Sequence, residues 1–107
     1  MAERRGFDLE NRTTEFAKRV VRLCKKLPRD PMNDRMTGQL VGSAGSVGAN
    51  YRKANDALGK KDFVYRLKIA RKESKEANSF YSAEVDDLIR ESTELRNIIS
   101  AIITKTA

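Results

Sequence analysis

Histidine is absent from this chain, and so is tryptophan. Without imidazole the commonest general base near neutral pH is gone, along with His-containing metal sites and every Ser-His or Cys-His nucleophile pair. No catalytic constellation, metal-ligand set or cofactor motif is expected. A single cysteine, Cys24, excludes an internal disulfide and falls on an apolar stripe, where it reads as a small buried hydrophobe. The longest uncharged run, residues 36–51, carries Thr, Gln, Ser and Asn and is shorter than the ~18 apolar residues a spanning helix needs. No membrane crossing is expected. The first ten residues, MAERRGFDLE, lack the apolar centre of a signal peptide, which predicts a cytoplasmic protein.

What remains is charge and helical period. With 107 residues, 35% of them charged, two prolines and 7% aromatics, the chain suits one all-α domain, residues 1–107, whose helices each carry a thin apolar stripe. After a lead-in to residue 11, with Asn11 or Thr13 as cap, Phe16, Val20, Leu23, Cys24 and Leu27 predict a first helix to about Lys26. Pro28 and Pro31 end it. A second helix is predicted from an Asp34 cap to Gly59, because Met36, Leu40, Ala44, Val47, Tyr51, Ala54 and Leu58 step by three or four. Its connection to a third helix, opened by Asp62, is so short that the two must be antiparallel neighbours. No Gly or Pro divides the third helix from the fourth, and the turn is placed between Ser79 and Asp86. The predicted core is Phe16, Val20, Leu40, Val47, Phe63, Leu67, Leu95, Ile99 and Ile102.

The second helix carries a second face nearly without side chains. Gly38, Gly42, Gly45 and Gly48 fall within about a third of its circumference at 3.6 residues per turn. An interior glycine costs a helix about 1 kcal/mol relative to alanine, so several of them imply close approach of another helix, in the same chain or in a second copy. Ser43, Ser46 and Asn50 are placed to hydrogen-bond across that contact. The run GSAGSVG matches neither the Walker nor the dinucleotide spacing and follows no strand, so it is not a phosphate loop.

The formal net charge of +7 is concentrated on two helices. Residues 1–30 hold nine basic against five acidic side chains, and residues 60–84 seven against four. Arg12, Arg19, Arg22 and Lys26 line one side of the first helix, and Lys61, Lys68, Lys72 and Lys75 one side of the third. Such stripes are solvated faces or footprints for a phosphate backbone. Arg52 and Lys53 form a smaller patch. No aromatic residue is expected to interleave these stripes, which predicts backbone contact with little sequence preference, selectivity from shape and no base stacking. Carboxylate pairs such as Asp86 and Asp87 sit among bases and read as ion-pair partners.

Several segments resemble the bacterial rRNA intervening-sequence, or S23-like, family of four-helix bundle proteins. The resemblance is carried by Gln39-Leu40, by Ser46-Val47-Gly48-Ala49-Asn50-Tyr51-Arg52, by Lys61-Asp62-Phe63 and by Ile69-Ala70-Arg71-Lys72-Glu73, and extends from about residue 7 onward. Lys53 stands where that family often has an acidic residue, and the end of the third helix is shorter here. The resemblance implies an antiparallel up-and-down four-helix bundle assembling into a homo-oligomeric ring, commonly a pentamer. It also implies little settled activity: some relatives are encoded inside insertions in large-subunit rRNA genes, and a similar accessory protein engages a reverse transcriptase and nucleic acid. Three function classes follow, in this order: a non-catalytic scaffold that binds RNA or DNA, a protein-protein adaptor with no nucleic-acid role, and, a distant third, an enzyme.

Overall fold

A computed structural model describes residues 2–74 and 79–106, with side chains described for residues 9–48, 50–74 and 79–105. Every element among these residues is helical: α1 Ala2–Cys24, α2 Pro31–Ala49, α3 Tyr51–Leu58, α4 Lys61–Glu73 and α5 Ser79–Thr106. The particle measures 42 × 24 × 19 Å. At 1.5 Å per residue the 28 residues of α5 span about 42 Å, so this helix alone sets the long dimension.

The apolar period builds one core. Phe16, Val20, Leu40, Val47, Phe63, Leu67, Leu95 and Ile99 are buried as their spacing predicts, while Ile102, near the end of α5, is half-buried against the cluster. Phe16 of α1 and Phe63 of α4 meet at its centre with ring centroids 6.3 Å apart. Burial on this scale contributes about 1.5–3 kcal/mol for each large side chain.

Four boundaries differ from the sequence expectation. α1 begins at Ala2, so the expected lead-in is helical. Its stripe starts two turns early, at buried Leu9, and Thr13, expected as a cap, is interior and donates its hydroxyl to the Glu10 carbonyl at 2.9 Å. The N-cap of α2 is Asp30, not Asp34: Asp30 accepts from the Asn33 backbone N–H at 2.8 Å, and Pro31 opens the helix where its missing N–H costs nothing. Asp34, one turn in, pairs with Arg29 at 2.9 Å.

The long second helix is two helices. Asn50, at φ −149° and ψ 92°, closes α2 and opens α3: its backbone N–H donates to Ser46 O at 2.7 Å, and its Oδ1 accepts from Lys53 N at 3.1 Å. A side chain that satisfies orphan groups on both sides makes a break cheap after glycine-weakened turns. Tyr51, expected on the apolar face of the second helix, is 38% exposed, while Ala54 and Leu58 on the same face are buried. The last turn also moves. Ser74 leaves the helical region at φ −65°, ψ 132°, and residues 79–86, where the turn was expected, belong to α5.

Gly59, between α3 and α4, has φ −93°, a value open to any residue. An added Cβ there meets the far end of the Arg96 side chain that α5 lays across it, a flexible group that can move aside.

Candidate nucleic-acid interface

The two basic stripes meet different fates. On α1, Arg12 and Arg19 turn inward along the seam with α5. Arg12 donates to Glu91 at 2.7 and 3.1 Å and lies 3.4 Å from Glu94; Arg19 donates to Glu84 and to Asp87, both at 2.7 Å. Seven residues forward on α1 match seven back on α5, which makes the helices antiparallel. Arg71 of α4 adds a third grip through Asp86 at 3.4 Å. Asp86 and Asp87 are thus ion-pair partners, as their surroundings suggested.

The protonation of the seam follows from this geometry. Hydrogen bonds donated to Glu91 and to Glu84 hold the protons of Arg12 and Arg19 more firmly than in free arginine, and the hydrogen bond from Arg19 keeps Asp87 below the usual carboxylate range. Arg12 and Arg19 are therefore committed to holding α1 on α5. Arg22, in the last turn of the same helix, and Lys26, in the turn that follows it, are exposed.

On α4 the stripe stays outside. Lys61, Lys68 and Lys72 are exposed, and no carboxylate among the described residues lies within ion-pairing distance of them. Arg66, one turn from Lys61, instead reaches Asp62 at 3.3 Å. Lys75, the fourth member expected here, lies outside the described residues. Arg52 and Lys53 are exposed on the first turn of α3.

The charge-based reading missed one member of the α4 stripe. Tyr65 stands four residues after Lys61, three before Lys68 and seven before Lys72, and it is 64% exposed. Positions i, i+4, i+7 and i+11 share a helix face, so the aromatic was visible to the same spacing rule that grouped the lysines. Beside it opens a shallow hollow of 600 Å³, lined by Gly59, Lys61, Asp62, Val64, Tyr65 and Lys68.

The glycine face is bare. An added Cβ at Gly38, Gly42 or Gly45 meets nothing within 4 Å, and at Gly48 it meets only Thr13 Oγ1 at an ordinary 3.7 Å. Among the described residues no helix makes the expected close approach at the first three positions, so this face is open. Nor does Asn50 bond across a helix contact, because its side chain caps α3.

Cys24 is buried, and burial pushes its thiol up against the weaker opposing pull of a hydrogen bond with Thr37. Among the described residues no cluster of carboxylates and cysteine could hold a metal ion, and no helix is long and apolar enough to cross a membrane. A family model described as 23S rRNA-intervening sequence protein matches residues 6–104. No curated protein and no solved structure matches the chain.

Proposed function

Because the chain belongs to the 23S rRNA-intervening sequence protein family, we propose that it is a non-catalytic, basic, homo-oligomeric scaffold that binds the phosphate backbone of RNA or DNA in the cytoplasm. The observation that carries this reading is the α4 stripe: Lys61, Lys68 and Lys72 stay exposed and without a described carboxylate while Arg12 and Arg19 of α1 are held by α5. Unpaired cations on a rigid helix displace counterions from a polyanion at little cost in lost ion pairs. α2 and α3 act as two halves of one rod, which makes the fold an up-and-down four-helix bundle. The bare Gly38, Gly42 and Gly45 face then packs between copies, and a ring, pentameric in the arrangement the sequence resemblance implies, repeats the α4 stripe around its rim.

Titration of the full chain against structured RNA at several salt concentrations tests this. Affinity should fall steeply with salt, and Lys61→Glu with Lys68→Glu should weaken binding and flatten that slope. Lack of binding by the parent in low salt overturns the nucleic-acid role. A monomer by light scattering at micromolar concentration overturns the ring.

A further inference from the structure

Resting on the backbone-binding reading above, we infer that Tyr65 is a stacking platform for an unpaired nucleobase, so that the α4 face selects single-stranded over duplex nucleic acid. The phenol contributes little to the core at 64% exposure. It stands between two hollows: the 600 Å³ hollow on the lysine side, and one of 430 Å³ toward α2 whose lining includes Met32, Met36 and Ile69. A ring bordered by open space on both sides has a face free to receive another ring.

Position supplies the rest. Lys61 lies about 6 Å to one side of Tyr65 along the helix axis and Lys68 about 4.5 Å to the other, with Lys72 a further turn on. A base laid on the ring therefore has its flanking phosphates directed at ammonium groups before and after it. Of the acidic groups nearby, Asp62 is engaged by Arg66 at 3.3 Å, and Asp30 caps α2 through Asn33 at 2.8 Å. Asp30 and Glu73 line only the α2-side hollow, so the lysine side is the one that favours an anionic strand. In a duplex the bases are already stacked on one another and present no free face to a helix surface, so Tyr65 adds nothing there.

The test uses the full chain with labelled twelve-nucleotide oligo(A) as RNA and as DNA, and with the matching duplexes. Tyr65→Leu should lower single-strand affinity by about five- to 150-fold, the range for loss of one base-aromatic stack. Duplex affinity and the salt slope should stay unchanged, and Tyr65→Phe, which keeps the ring, should bind within about twofold of the parent. The RNA and DNA arms tell which strand chemistry the platform accepts, and a Tyr65 effect in either supports it. Lys61→Glu with Lys68→Glu should weaken every probe. If those reversals weaken binding while Tyr65→Leu binds single strands as the parent does, stacking is overturned and backbone binding survives. If the parent binds no probe in low salt, both readings fall and the face is left to a protein partner.

Discussion

The seam between α1 and α5 and the outer surface of α2 and α4 are built from similar residues used in opposite ways. Along the seam, arginines find carboxylates: Arg19 and Glu84 keep only 22% and 28% of their side chains exposed and sit 2.7 Å apart. Across the chain, lysines on α4 find none among the described residues, glycines on α2 face open space, and Met32 and Tyr65 stand out in solvent. One flank has its charges and apolar groups satisfied within the chain, and the other has not. A net charge of +7 thus says little about where a polyanion lands, because cations consumed by a seam are still counted.

The sharpest way to break the satisfied flank is to hollow the core beneath it. Leu95→Ala, at a fully buried position of α5, should lower stability by about 2–5 kcal/mol in urea denaturation, whereas Tyr65→Ala on the open flank should stay within about 0.5 kcal/mol. Next in size, Arg19→Glu sets a carboxylate against Glu84 and Asp87 and should cost about 1–3 kcal/mol. Glu84→Lys added to that variant should restore part of the loss, a coupling that a double-mutant cycle reads directly.

On the unsatisfied flank, the expected sign reverses. Gly42→Ala fills empty space in a helix interior and should stabilise the isolated chain by about 0.5–1 kcal/mol, while Gly45→Leu should lower the mass seen by light scattering if copies meet there. An unchanged mass and an equal or higher melting temperature for Gly45→Leu make that face ordinary solvent-facing helix.

Smallest is the effect of pH. Asp87 is depressed below its unfolded value of about 3.9, so its contribution is complete above that pH and is lost only as pH falls through the lower folded value. Arg12 and Arg19 are raised and stay charged throughout. Melting temperature should therefore be flat from about pH 5 to 8 and fall below about pH 4, and Arg19→Gln should shallow that fall; above about pH 8.5 the raised Cys24 thiol should begin to cost stability.

Much of this was legible in the sequence, for reasons that also mark where legibility stopped. The core followed from period, since a residue every third or fourth position can only be one face of a helix, and Leu40, Val47, Leu67 and Leu95 obeyed it. The break at Asn50 did not, because Ala54 and Leu58 resume the same register beyond it and hide the interruption. Lysines were correctly grouped on α4, but the fate of Arg12 and Arg19 depended on partners 65 to 79 residues away, which a local face count does not see. Both arginines and their acidic partners do repeat at seven-residue intervals, and that matched spacing was the available clue. Tyr65 was missed because the stripe was sorted by charge before it was sorted by position.

The double cap at Asn50 also bears on how the chain is made. α3 has eight residues, too few to persist in water alone, and the buried Oδ1 of Asn55 within it has no hydrogen-bond partner. It is held by α5, whose Arg96 crosses Gly59 at its end. At about 5–20 residues per second, a ribosome adds Ile99 about 2 to 8 s after Leu58. During that interval α1 and α2 can pair and α3 can meet α2, but α3 lacks its contacts with α5. α5, the last of the five described helices to emerge, is the one that shuts the apolar interior, so a nascent chain stalled before residue 79 leaves Leu58, Phe63 and Leu67 without the cover that α5 gives α3 and α4.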